Sequence, residues 1–136
     1  MLKFKIRYLI PAVLYCGAIY WLSAKPDPGE PPFEFPGMDK FIHAAVYAGL
    51  AALVSVGLRR SNPGLSFRPQ FVIPVLFAAL YGLSDEVHQL FVPLRNFDLL
   101  DIAADTAGAF AAQGLLFAWW QRSGRAATVE ETGPPF

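Results

Sequence analysis

The sequence predicts an all-α fold, a four-helix transmembrane bundle with both termini cytoplasmic. Three observations carry this reading. Hydrophobic residues make up 54% of the 136 residues and charged residues only 16%, against a usual charged share of about 25%. The charges are clustered, which leaves four long apolar runs between them. The lysines and arginines fall mainly on one side of the membrane that these runs define.

Composition also excludes other classes. Eleven Lys and Arg balance eleven Asp and Glu, so the chain lacks the basic footprint of a nucleic-acid binder. Its apolar content is too high for a disordered chain. A single cysteine, Cys16, excludes an internal disulfide framework and any multi-cysteine metal site.

The first span, near residues 4–24, rests on the uncharged run 8–24. Lys3, Lys5 and Arg7 precede it, as in a signal peptide. The run is long, however, and Leu22-Ser23-Ala24 is a poor cleavage site, so an uncleaved anchor is expected. Residues 25–37 hold Pro26, Pro28, Pro31, Pro32 and Pro36 with Gly29 and Gly37, which specifies an extended, turn-rich connection. The second span, near 38–58, rests on the uncharged run 41–58. A basic loop follows over 59–69, with a turn at Asn62-Pro63-Gly64.

The third span, near 70–92, reaches membrane length only by including Asp85 and Glu86, and ends before Pro93. The fourth, near 98–121, likewise includes Asp101 and Asp105. Pro11 and Pro74 read as kinks. Residues 1–121 form one transmembrane domain on this reading, and 122–136 a flexible cytoplasmic tail.

Basic residues set the direction. Lys3, Lys5, Arg7, Arg59, Arg60, Arg68, Arg122 and Arg125 share one side, which is cytoplasmic; Lys25, Lys40 and Arg95 lie on the other. Trp21 and the Trp119-Trp120 pair fit interfacial belts at opposite ends. The chain is expected in the cytoplasmic (inner) membrane, among membrane lipids.

The acids fall on the outer side: Asp27, Glu30, Glu34, Asp39, Asp85, Glu86, Asp98, Asp101 and Asp105, with His43 and His88. An ionisable group in the hydrocarbon costs ~2.5–3.5 kcal/mol on insertion scales. Several at one depth therefore specify a shared polar pocket opening outward. Helical spacing supports it. Asp39, His43 and Tyr47 form one stripe; Tyr81, Asp85, His88 and Gln89 form a second; Asp98, Asp101 and Asp105 form a third. Ala104-Gly108-Ala112 is a small-x3-small series suited to close helix packing. Blander readings stand beside these. Asp98 and Asp39 are equally good helix caps. A less favoured reading makes Asp85 and Glu86 ion-pair partners of Lys40 or Arg95 that hold the bundle together; His43 reads equally as a satisfied buried histidine or, through its i+4 spacing to Asp39, as a functional one.

Asp39-Lys40-Phe41-Ile42-His43 with Tyr47 resembles the first signature of VanZ-like proteins. The stretch from Tyr81 through Asp85-Glu86-Val87-His88-Gln89 to Pro93, then Arg95, Phe97, Asp98, Asp101 and Gly108, resembles the second. The resemblance covers roughly residues 38–115. Leu94 stands where the family commonly has Gly, and Asp105 where it commonly has Asn. The resemblance implies a small polytopic protein of a bacterial cell envelope, in a family whose named member is associated with teicoplanin resistance.

Three functions compete. In the first, the outward pocket binds a lipid-linked or phosphorylated headgroup. Arg95, Lys40 and His43 supply positive charge, with Arg offering a bidentate fork. In the second, Asp85, Glu86, Asp101 and Asp105, with His43, hold a divalent metal as cofactor. That ion activates water for hydrolysis of an envelope lipid or glycan, and His43 or His88 moves the proton. In the third, the chain translocates a lipid or solute. Four helices are few for that, so it requires a homo-oligomer, and confinement of polar residues to the outer half argues against it.

The topology is checked by single-cysteine labelling in intact cells, in a Cys16→Ser background. Cysteines at Asn62 and Gly133 should resist an impermeant reagent, and one at Gly29 should react. The reverse pattern inverts the protein in the membrane.

Overall fold

The structure is a computed structural model. It describes residues 2, 5–26 and 35–132, with side chains through residue 124. Lys3, the linker acids Asp27, Glu30 and Glu34, the side chain of Arg125 and residues 133–136 lie outside the described part. Four helices follow in order: α1 (Ile6–Ser23), α2 (Met38–Ser61), α3 (Phe67–Gln89) and α4 (Leu99–Thr132). No strand occurs among the described residues. The fold class is all-helical, as the apolar runs specify.

Three helices, α1, α2 and α3, are long and apolar enough to cross a membrane. The outer surface agrees. Val13 and Leu14 on α1, Val72, Leu76, Phe77 and Leu80 on α3, and Phe110 and Leu115 on α4 are all exposed. A soluble bundle turns such residues inward; lipid removes the reason to do so. Between the helices, small and polar side chains are buried beside a few large apolar ones, Leu50 and Leu58 among them.

The boundaries shift from the expected ones for local reasons. α3 begins at Phe67 because Pro69 falls in the first turn, where its missing N–H has no helical partner to lose. α4 continues to Thr132, beyond the expected end at 121, because the next Gly-Pro pair comes only at residues 133–134. α4 falls short of spanning apolarity. Much of its apolar content is alanine, and Asp101, Asp105 and Gln113 are all buried among its neighbours rather than turned to lipid.

α2 is the centre of the bundle and meets all three other helices, while α1 and α4 make no contact with each other among the described residues. The α2–α4 approach is closest at Gly108, in the middle of the small-x3-small series. A Cβ there would collide with the backbone of Ala44, its carbonyl oxygen first. At the far end, an aromatic group of Phe67, Phe71, Phe110 and Phe117 joins α3 to α4, and Arg59 lies 4.3 Å over the Trp120 ring.

One polar knot sits in that half. Ser55 Oγ donates to Gln113 Oε1 at 2.8 Å, Gln70 Nε2 donates to the Ser55 carbonyl at 2.9 Å, and Gln113 Nε2 donates to the Ala51 carbonyl at 3.2 Å. All three side chains are buried. Such bonds are worth about 0.6 kcal/mol each in membrane helices, so the knot sets register more than it supplies stability. It also corrects the expectation that polar residues keep to the outer half.

Gly108→Val should lower stability by about 1–3 kcal/mol through overpacking. Gly114→Val, where nothing lies within 4 Å of an added Cβ, should be near neutral. Thermal denaturation of both variants in detergent checks this; equal effects would contradict the close α2–α4 approach.

Candidate functional site

The site lies at the end of the bundle where α1 and α3 finish and α2 and α4 begin. Successive turns of α2 carry Lys40, His43 and Tyr47; the last turns of α3 carry Asp85, Glu86 and Gln89; the start of α4 carries Asp101 and Asp105. Spacings of three and four residues put each set on one helix face. All three faces turn inward, and Asp85, Glu86, Asp101 and Asp105 are all buried.

Lys40 organises the upper layer. Its Nζ lies 2.6 Å from Asp98 Oδ2, 2.6 Å from Asp101 Oδ1 and 2.9 Å from Asp39 Oδ2. Asp39 is the most exposed of these acids. It sits in the first turn of α2, whose cap position is held by Gly37. Asp98 is both cap and ion-pair partner: its Oδ1 accepts the Leu100 N–H at 2.8 Å. Its own N–H donates to Glu86 Oε2 at 2.9 Å. The start of α4 is thereby tied to α2 through a side chain and to α3 through its backbone.

His43 organises the lower layer. Its Nδ1 is 3.0 Å from Asp105 Oδ1 and its Nε2 is 3.8 Å from Asp101 Oδ2. Its partners are therefore on α4, and not Asp39 one turn above it. The ring lies parallel to that of the buried Tyr47, with centroids 6.4 Å apart. Asp105 approaches α3 so closely that a Cβ on Gly82 would collide with its Oδ2. That oxygen, Glu86 Oε1 and the Tyr47 hydroxyl are buried without a hydrogen-bond partner among the described residues. One ligand atom from each of His43, Glu86 and Asp101 lies within 4.8 Å of the other two. Asp85 and Asp105, named beside them from the sequence as candidate metal ligands, are not in that set.

The single pocket expected from the stripes is divided. A cavity of about 190 Å³ opens between α1, α2 and α3, lined by His43, Tyr47, Asp85, Gln89 and Arg95 with apolar walls from α1 and α2. Glu86, Asp101 and Asp39 do not line it. His43 belongs to both the cavity and the acidic cluster. Asp85 accepts from Gln89 Nε2 at 3.4 Å. Neither Asp85 nor Glu86 pairs with Lys40 or Arg95 among the described residues. Arg95 Nε donates instead to the Lys25 carbonyl at 3.3 Å.

Two expected residues face elsewhere. His88 stacks on Tyr20 of α1 with centroids 4.6 Å apart. Tyr81 donates to the Cys16 carbonyl at 2.7 Å. Both fasten α1 to α3. Reading the stripes missed two contributors. One is Gly82, whose lone hydrogen makes room for Asp105. The other is the backbone of Leu94, at φ 64°, a left-handed conformation that costs a non-glycine residue about 1–2 kcal/mol. The replacement of Gly by Leu in this motif was the available signal for that strain, which sits next to the cation lining the cavity.

A protein-family model described as VanZ/LLP1 matches residues 6–120. No curated protein and no solved structure matches the chain.

Lys40→Met removes the cation shared by three carboxylates. The buried Asp101 alone should then cost about 1–3 kcal/mol. Lys25→Met, which removes only a cation 3.4 Å over the exposed Trp21 ring, should leave the thermal midpoint nearly in place. Equal midpoints for the two variants in detergent would show that the Lys40 cluster is not a stabilising contact.

Proposed function

The chain belongs to the VanZ/LLP1 family, and from that premise we propose that it is a cell-envelope membrane protein whose polar cavity binds a lipid-linked or phosphorylated headgroup. The observation that carries this reading is the two-sided lining of the cavity. Ile19, Leu22, Ile42 and Val46 form an apolar wall, and Arg95, Gln89, Asp85, His43 and Tyr47 form a polar one. Leu22 and Ile42 are also exposed on the bundle surface. An acyl or prenyl chain can lie against them while its headgroup enters between the helices.

Size decides between ligand classes. About 190 Å³ is below the ~300–1,000 Å³ typical of drug-sized pockets. That suits a phosphate or a single polar ring better than a whole lipid. Arg95 presents a planar guanidinium that can take two phosphate oxygens at once. Its Nε bond to the Lys25 carbonyl anchors it, and the strained Leu94 turn directs it inward.

With α4 as a fourth span and the termini cytoplasmic, as the basic asymmetry favours, the cavity opens on the outer face of the inner membrane. Altered susceptibility to a glycopeptide such as teicoplanin is the phenotype that follows where the captured ligand is a cell-wall intermediate.

The test is retention of a polyprenyl phosphate by the purified protein in nanodiscs, read by native mass spectrometry, with the uncharged prenol as control. Arg95→Lys keeps the charge and loses the fork. It should weaken retention about tenfold, the equivalent of one charge-assisted hydrogen bond, at an unchanged thermal midpoint. Undiminished retention, or equal retention of the prenol, refutes the headgroup reading. A fall in the midpoint without loss of retention assigns Arg95 to structure alone.

A further inference from the structure

We infer that His43, Glu86 and Asp101 form a divalent-cation site of the kind that takes Zn²⁺ or Mn²⁺. Each residue comes from a different helix, α2, α3 and α4. Each has two heteroatoms, and in each one is held by a partner while the other is left for a ligand. His43 Nδ1–H is held by Asp105 Oδ1 at 3.0 Å, which places the lone pair on Nε2. Glu86 Oε2 is held by the Asp98 N–H at 2.9 Å. Asp101 Oδ1 is held by Lys40 Nζ at 2.6 Å.

Two of the three remaining atoms lie close together. Nε2 of His43 and Oδ2 of Asp101 are 3.8 Å apart. Glu86 is fully buried, and its Oε1 has no hydrogen-bond partner among the described residues. An unpartnered buried carboxylate oxygen is costly, and a bound cation would offset that cost. Three ligand atoms no more than 4.8 Å apart leave a point within about 2.8 Å of each, so under an ångström of closure reaches the ~2.0–2.2 Å of Zn–N and Zn–O bonds.

Charge points the same way. Asp85, Glu86, Asp101 and Asp105 are all buried, and among the described residues the cation paired with this group is Lys40, which Asp101 shares with Asp39 and Asp98. A divalent ion offsets two of these charges. One imidazole with two carboxylates suits Zn²⁺ or Mn²⁺ better than Mg²⁺ or Ca²⁺, which favour all-oxygen shells. Three protein ligands leave open positions. Carboxylate orientation of a ligating imidazole is a recurrent feature of such sites, and makes Asp105 a positioning residue.

The role of the ion rests on the headgroup reading; its binding does not. His43 also lines the cavity, so an ion on Nε2 would stand at the boundary between the acidic cluster and the headgroup space. There it would supply the positive charge that a phosphate needs beside Asp85.

The experiment uses the full chain without a polyhistidine tag, in nanodiscs and a Cys16→Ser background, stripped with chelator and then given Zn²⁺ alone. One ion per chain should be retained after dialysis. In ¹⁵N-histidine-labelled protein, Zn²⁺ should move the His43 Nε2 resonance and leave those of His88 in place. Glu86→Gln and His43→Gln should each weaken Zn²⁺ at least tenfold, with the metal-free circular dichroism unchanged. The ¹⁵N shift needs no variant, so it decides the matter if either variant fails to fold. Retention of no ion, movement of neither histidine, or full affinity in both variants overturns the proposal. Polyprenyl phosphate retention is measured on the same samples. Zn²⁺ bound without lipid retention refutes the headgroup reading and leaves the metal site standing; lipid retained with no Zn²⁺ bound does the reverse.

Discussion

Lys40 reaching from α2 to the start of α4 is the contact on which the site depends. Its ammonium lies 2.6 Å from both Asp98 and Asp101. That fixes where α4 begins, because Asp98 also caps the helix and donates its N–H to Glu86. Three helices are joined at one point. Below it, Gly108 lets the backbones of α2 and α4 meet at Ala44, and one turn up the same helix Asp105 receives His43. In lipid no hydrophobic force draws helices together, so close backbone approach and buried polar contacts have to supply the specificity.

This arrangement concentrates acid where it is most expensive. Four buried carboxylates surround one histidine and one partly buried lysine. A chain selected only for stability would replace much of this with apolar side chains of similar volume. The cluster is instead supported by further specialised geometry: a glycine at 82 that admits Asp105, and a leucine at 94 held at positive φ beside Arg95. Glu86 Oε1, Asp105 Oδ2 and the Tyr47 hydroxyl are buried without a hydrogen-bond partner among the described residues at this end of the bundle, the kind of feature that calls for an explanation beyond packing.

The opposite half of the bundle works differently. Ser55, Gln70 and Gln113 form a compact neutral network, and aromatic rings fill the space between α3 and α4. Neutral amides cost less to bury than carboxylates, so this half fixes helix register without demanding a counter-ion. The two halves divide the labour between holding the helices and presenting charged groups.

The sequence by itself determined the helical class, the apolar spans α1 to α3, the motifs of the family and which residues had to avoid lipid. Those follow from composition and from spacing of three and four, which are properties of one helix at a time. It did not determine how the stripes meet. His43 could pair with Asp39 on its own helix or with acids on another; its rotation toward α4 decided for Asp105 and Asp101. His88 and Tyr81 share a face with Asp85 on a helical wheel, yet α1 packs close enough to claim both. The expected pocket became a cavity and a separate acidic cluster because α4 packs against α2 and α3 while α1 stays clear of it. Which helix borders which is set by long-range backbone contact, at Gly108 and Gly82 above all, and a periodic pattern along one chain carries no information about that contact.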